Sequence, residues 1–279
     1  MKWLVLITKT IGCALLIAVL LLIFFQHRII YYPRPYSKPS LWDFETRRGR
    51  RLEVRTSQGR QVTFYLPPRS HEKQPPEFLW FVFGGNGSLA LDYDGEPLQW
   101  DGRFGYVFVD YPGYGECEGT PNPGTVRESI VAVVKAVKEQ MHWSDAELRA
   151  RSGVLGHSLG CAAALITAEE ARLTKAVLCA PFTTMTEMAR DVVGWPLCYL
   201  NRHRYDNVTR LERLVPQGLT ARLFHGKEDQ VIPVAMSRRM AAMFPEAVLL
   251  TEVPGCDHNE IIMMAGSEIG HAMAELSRL

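Results

Sequence analysis

The sequence predicts an α/β protein: a mainly parallel sheet with helices on both faces. Three observations carry this reading. Short, largely apolar runs recur at Phe78–Phe83 (F-L-W-F-V-F), Tyr106–Val109 and Lys175–Cys179. Runs that are continuous rather than alternating mark strands covered on both sides. Helical patterns alternate with them, as over Thr125–Met141, where Ile130, Val133, Val134 and Val137 share one face. Finally, Val154-Leu155 leads through Gly156-His157-Ser158-Leu159-Gly160 into an alanine-rich stretch from Cys161 to Ala171. A strand that turns sharply into a helix at a serine displays that hydroxyl above the end of a sheet.

The totals narrow the possibilities. A chain of 279 residues, 47% hydrophobic and 22% charged, suits one large domain with a substantial core. A formal net charge of +1 offers no electrostatic grip on nucleic acid. The six cysteines (Cys13, Cys117, Cys161, Cys179, Cys198 and Cys256) form no C-x-x-C pair, so neither a zinc site nor a disulfide framework is expected.

In chain order, the first element is an apolar run of 18 residues between Lys9 and Arg28 without Lys, Arg, Asp or Glu. As a helix it spans about 27 Å, close to the roughly 30 Å hydrocarbon core of a bilayer. Phe25-Gln26-His27-Arg28 lacks the small-x-small pattern of a cleavage site, so residues 1–30 read as an uncleaved single-pass anchor. Arg28, Arg34, Lys38, Arg47, Arg48, Arg50 and Arg51 outnumber Lys2 and Lys9, which leans towards a cytoplasmic domain. Asn86-Gly87-Ser88 and Asn207-Val208-Thr209 are formal glycosylation acceptors that matter only on the other side, and the side stays open. Residues 31–50 read as a Pro/Arg-rich linker, extended over Tyr31–Ser40, and residues 51–279 as the folded domain. That domain opens with an antiparallel hairpin over Arg51–Leu66, then a surface loop over Pro67–Glu77. Further strands are expected at Arg222–His225 and Ala247–Val253, and helices at Val234–Met243 and Asn259–Leu276.

In a doubly wound sheet, function gathers at the carboxyl ends of the strands. Reading those ends in order gives Gly84–Gly87, Asp110–Gly113, His157-Ser158, Ala180-Pro181, His225–Asp229 and Pro254–His258. Serine, aspartate and histidine therefore arrive in the order Ser158, Asp229, His258. A serine hydroxyl attacks at neutral pH only when a base takes its proton. His258 is the expected base, and Asp229 the acid that orients its imidazole. Glu228, next to Asp229, is an alternative acid, whereas Asp257 is read as a loop or cap residue. Oxyanion donors are expected from the backbone N–H of Leu159 and, in the loop after Phe83, of Asn86, with Gly85 as second choice. His157 reads as a packed turn residue, and His225 as a strand-end residue that bonds the backbone locally. His27, His71, His142, His203 and His271 show no ligand spacing. The stretch Pro181–Pro216, with Met185, Met188, Trp195, Tyr199 and Leu200, reads equally as an acyl-pocket cover or as core.

These residues carry a resemblance. From about Leu52 to Leu279 the chain resembles the α/β-hydrolase superfamily, in which the nucleophile, acid and base follow this chain order. It is most similar to the membrane-anchored Bem46-like branch, which includes the α/β-hydrolase domain-containing 13, 17 and 12 proteins. The motifs are Tyr31-Tyr32-Pro33, Gly85-Asn86, Asp110-Tyr-Pro-Gly-Tyr-Gly115, Gly156–Gly160, Ala180-Pro-Phe-Thr183, Arg204-Tyr-Asp206, His225-Gly226 with Asp229 and Ile232-Pro233, and Asp257-His258-Asn259. The resemblance implies a serine hydrolase of carboxylic esters or thioesters, with lipid or acylated substrates and no cofactor. One departure stands out: Gly84 occupies the place where the family has histidine at the head of the oxyanion loop. That loss bears on loop rigidity, and it is the sequence support for an alternative, a catalytically silent binding protein. Peptidase or acyltransferase chemistry on the same triad is a further alternative.

Overall fold

A computed structural model describes residues 2–46, 48–70 and 75–278. Arg47, His71 with the rest of residues 71–74 in the expected surface loop, and the terminal residues Met1 and Leu279 lie outside the described residues.

Eight strands form one sheet in the order β1-β2-β4-β3-β5-β6-β7-β8. They are β1 (Arg50–Thr56), β2 (Gly59–Leu66), β3 (Phe78–Phe83), β4 (Phe104–Val109), β5 (Ser152–His157), β6 (Lys175–Cys179), β7 (Thr220–Gly226) and β8 (Val248–Val253). The β1–β2 hairpin and the β2–β4 pairing are antiparallel, and every later pairing is parallel. The helices are α1 (Lys2–Phe24), α2 (Gln26–Ile30), α3 (Lys38–Thr46), α4 (Pro123–Met141), α5 (Asp145–Ala150), α6 (Leu159–Ala171), α7 (Met185–Val193), α8 (Asn207–Leu214), α9 (Val234–Met243), α10 (Ile261–Met264) and α11 (Gly266–Leu276).

The unbroken apolar runs have a direct cause. Successive strand residues point to opposite faces. In β3, Leu79, Phe81 and Phe83 enter one core, shared with residues of α4, α6, α8 and α9. Phe78, Trp80 and Val82 enter the other, beneath α3, α10 and α11. The alanines of α6 have a similar logic: Leu159 through Ala168 are all buried, because this helix is wedged between the sheet, α4 and α8. Bulkier side chains there would force the layers apart.

The stretch after the apolar helix departs from the expected linker. Tyr31 is 2% exposed and Phe44 1%, both packed in the cores, and Lys38–Thr46 is helical. The reason is long-range: Phe44 meets Phe64 and Phe108 edge-on. Tyr31 hydroxyl bonds Tyr205 at 3.0 Å and His203 Nδ1 at 3.1 Å. The expected final helix is two, broken at Ala265.

At the other end, α1 runs 23 residues with mean hydropathy 2.5 and none of its apolar window buried. It is long and apolar enough to cross a membrane. It begins before Lys9 and stops at Phe24, whereas the apolar run in the sequence continues to His27; the last residues of that run turn back onto the domain as α2.

Candidate active site

The turn between β5 and α6 holds Ser158 at φ 55°, ψ −119°, a backbone state that a non-glycine residue adopts only when its surroundings enforce it. Its flanking glycines are the enforcing condition. A Cβ on Gly160 would lie 2.2 Å from Phe83 carbonyl oxygen, and one on Gly156 2.4 Å from Gly160 carbonyl oxygen. Only hydrogen at both positions lets helix and strand close this tightly. The hydroxyl is thereby lifted above the carboxyl edge of the sheet.

Two neighbouring strand ends supply its partners. The loop after β8 carries His258, whose Nε2 accepts from the Ser158 hydroxyl at 3.0 Å. The loop after β7 carries Asp229, which accepts from His258 Nδ1–H at 2.7 Å. The three residues expected from the strand ends therefore meet in one chain of hydrogen bonds. Ser158 is 8% exposed and His258 6%.

Asp229 is fully engaged. Its Oδ1 accepts from the N–H groups of Val231 and Ile232, each at 2.8 Å. Its Oδ2 also lies 3.2 Å from His225 Nε2. Burial alone would raise this carboxyl. The bonds from His225, His258 and Ile232 outweigh that penalty and hold it well below the usual carboxylate range. Glu228 points elsewhere, accepting from Cys256 N–H at 3.1 Å. Asp257 accepts from Asn259 N–H at 2.9 Å, a loop role.

His225 makes the local backbone bond expected of it and reaches the acid as well. Its Nε2–H reaches both Ile232 carbonyl (2.8 Å) and Asp229, while Nδ1 accepts from Ser237 hydroxyl at 2.6 Å. The backbone bond was expected of this strand-end histidine; its contact with Asp229 was not. The i,i+4 spacing of His225 and Asp229 around a tight turn was the available signal.

His157 is buried beneath the site. Its Nδ1 faces Tyr93 hydroxyl at 2.9 Å and its Nε2 faces His258 carbonyl at 3.0 Å. Since a carbonyl only accepts, Nε2 carries the proton and Nδ1 accepts from Tyr93. Burial, reinforced by the nearby His258, lowers its pKa from 6.5 to about 4. Between those values only the unfolded chain holds the extra proton, so stability drains away as pH falls from 6.5 and the loss is complete near 4. Denaturant titrations at pH 7 and 4.5 are expected to show that His157→Gln loses about 2–3 kcal/mol less than wild type on acidification.

Tyr93 also explains the missing histidine. A Cβ on Gly84 would sit 2.7 Å from the Tyr93 ring and 2.9 Å from Ser88 Cβ. The Tyr93 hydroxyl accepts from Gly85 N–H at 3.3 Å and lies 3.2 Å from Ser88 Oγ. A ring from the next turn thus buttresses the loop from the space a side chain at position 84 would fill. Sequence pattern gave no sign of this.

With Gly85 N–H engaged, Asn86 and Leu159 N–H have no partner among the described residues, and both residues line the cavity with Ser158. The Asn86 side chain has a different task. Its Nδ2–H₂ donates to Ile30 carbonyl at 3.1 Å, while the backbone carbonyl of Asn86 accepts from Tyr32 N–H at 3.1 Å and from Tyr114 hydroxyl. Arg34 Nε donates to Gly87 carbonyl at 3.0 Å. The segment from Ile30 to Arg34 therefore straps the loop after β3 from outside. The other formal acceptor, Asn207, is wholly buried and donates to Phe182 carbonyl at 2.8 Å, so the amides of both acceptors are spent inside the fold.

Above Ser158 lies a cavity of about 590 Å³. Phe182, Met185, Met188 and Val192 line one side, and Leu22, Gln26, Ile29 and Ile30 another. Of the apolar residues expected as cover, Met185 and Met188 face this cavity; Trp195 and Tyr199 do not, being 75% and 61% exposed. All six cysteines are free, and no cluster suited to a metal occurs among the described residues.

Comparison with known proteins bears on the fold. Residues 79–205 match the family described as alpha/beta hydrolase family. An uncharacterized protein of Mycobacterium tuberculosis is 27% identical over 248 residues, covering 86% of this chain and 83% of its own length. Among solved structures, an alpha-beta hydrolase from Vibrio vulnificus aligns with a TM-score of 0.67 at 16% identity, over 86% of this chain and 88% of that one. A Pyrococcus furiosus esterase aligns with a TM-score of 0.65 at 15% identity, over 89% and 98%. At such identities the likeness speaks for the fold. The chain thus has the α/β-hydrolase fold, and its segment from Leu79 to Tyr205 matches the alpha/beta hydrolase family.

Proposed function

We propose that this chain is a membrane-anchored serine hydrolase that cleaves carboxylic ester or thioester bonds of lipid or acylated substrates, as in the Bem46-like branch it resembles. The observation that carries the reading is the unbroken relay from Ser158 through His258 to Asp229 at the floor of an apolar cavity. Ser158 Oγ bonds to the acyl carbon as His258 Nε2 takes the hydroxyl proton. The carbonyl oxygen becomes an oxyanion that accepts from Leu159 and Asn86 N–H. The carbon–heteroatom bond to the leaving group then breaks, and His258 returns the proton to the departing oxygen or sulfur. Water, deprotonated by the same imidazole, releases the acid and restores Ser158. Asp229 stays ionised throughout and stabilises the imidazolium.

The apolar lining favours an acyl chain over a peptide. The silent-fold alternative loses its main support, since Tyr93 buttresses the loop where Gly84 left a doubt. Helix α1 supports anchoring by its length and composition. The test is a fluorophosphonate probe and p-nitrophenyl esters of graded length on the full chain in detergent. Wild type is expected to be labelled and to turn over these esters, and Ser158→Ala to remain folded and unlabelled. A folded wild-type protein that resists the probe would sink the proposal.

A further inference from the structure

The cavity is walled on one side by the end of the apolar helix. Leu22 of α1 and Gln26, Ile29 and Ile30 of α2 face Met188, Val192 and Leu197 across it. Exposed apolar side chains stand on the segments that line or adjoin this mouth: Phe25 is 43% exposed, Val192 73%, Trp195 75%, Tyr199 61% and Val231 55%. Scattered exposed apolar residues are ordinary, but their gathering on the segments around a pocket points to a contact surface. None of the residues of α7 is buried.

Gln26 joins the two sides of the mouth. It is 6% exposed, its Nε2 donates to Leu200 carbonyl at 2.7 Å, and its Oε1 accepts from Arg202 N–H at 2.7 Å. The turn that carries Trp195 and Tyr199 is thereby tied to the chain two residues beyond α1. Exposed cations flank the same segments: Arg28 on α2, and Arg202 and Arg204 after the turn. Aromatic side chains with basic neighbours at the end of an apolar helix suit the headgroup region of a bilayer.

We propose that this rim lies in the membrane surface, and that the acyl chain of a membrane-resident substrate enters the cavity laterally, between the end of α1 and α7, without crossing water. The occupant is the headgroup–acyl boundary of the bilayer that holds α1. The argument is one of continuity: the wall of the cavity is the prolongation of the anchor. This rests on the hydrolase and anchor readings above, and its test separates them.

The full chain is reconstituted in phosphatidylcholine vesicles containing one-fifth phosphatidylserine and a long-chain fluorogenic ester, and p-nitrophenyl acetate is assayed in parallel. Trp195→Ser/Tyr199→Ser alters two rim residues outside the cavity lining. It is expected to keep acetate turnover and to lose at least about tenfold in turnover of the vesicle-borne ester, because two buried aromatics are removed from the interface. Depth is read without catalysis. Lipids brominated near the headgroup are expected to quench wild-type tryptophan fluorescence more than that of Trp195→Ser. Equal quenching, or wild-type turnover of the vesicle ester by the double variant, would overturn the proposal. So would a dimer that the double variant loses, which would give the patch to a second copy. Absent acetate turnover with Trp195 quenched would instead defeat the hydrolase reading and leave the membrane rim standing.

Discussion

Replacing either Ser158 or His258 by alanine is expected to lower kcat for a p-nitrophenyl ester by about 10⁶-fold, and replacing both to lower it no further. The two side chains act at one atom pair: Ser158 hydroxyl donates to His258 Nε2 at 3.0 Å. Without the base, the hydroxyl must lose its proton unaided. Without the hydroxyl, the base has nothing to activate but water. Each single change therefore removes the whole nucleophilic step, and the remaining acceleration over water, about 10³–10⁴-fold, belongs to the oxyanion donors and the cavity. Additive losses in the double variant would mean that the two residues contribute separately, contradicting the relay. Ser158 is also held at φ 55°, which glycine tolerates and alanine does not relieve, so Ser158→Ala keeps the turn geometry and isolates the chemistry.

The second large effect belongs to Asp229→Asn, expected to lower kcat by about 10⁴-fold with KM little changed. The mechanism follows from which oxygen does what. Val231 and Ile232 N–H groups both bond Oδ1, so an asparagine keeps its carbonyl there. Its amide then takes the place of Oδ2, facing His258 Nδ1 at 2.7 Å and His225 Nε2 at 3.2 Å. The amide N–H and His258 Nδ1–H, both donors, now face each other. The imidazole is driven to the tautomer with its proton on Nε2, which cannot accept from Ser158. His225 still bonds Ile232 carbonyl, so the loop survives and the loss reads as chemistry rather than unfolding. A thermal midpoint that collapses along with kcat would point to a structural role instead.

Local sequence was enough to locate the three side chains that meet in the hydrogen-bonded chain, because each stands where an apolar run ends and glycine or proline begins. Ser158, Asp229 and His258 were legible in that way. The choice of Asp229 over Glu228 rested on the run His225-Gly226-x-x-Asp229-x-x-Ile232-Pro233, which puts Asp229 where the loop turns into α9. Residues that act on the loop from far along the chain were out of reach. Tyr93 lies in a short 3₁₀ turn with no periodicity to flag its orientation. Tyr31 meets Tyr205 across 174 positions, and its prolines and arginines made the segment look solvated. Proline content reported the extended backbone correctly, but said nothing of what that backbone lies against.

The strap from Ile30 to Arg34 has a consequence for how such a protein can be handled. A tether is ordinarily exchangeable: one apolar helix serves as well as another, and cutting it off yields a soluble enzyme. Here the residues just past the apolar helix proposed as the tether clasp Asn86 and Gly87, and Leu22 and Ile29 form part of the chamber itself. Clipping the chain at residue 35 would release the domain from its helix and at the same time unfasten the loop and breach the chamber. Turnover by the clipped protein would describe a different vessel from the one the whole chain encloses.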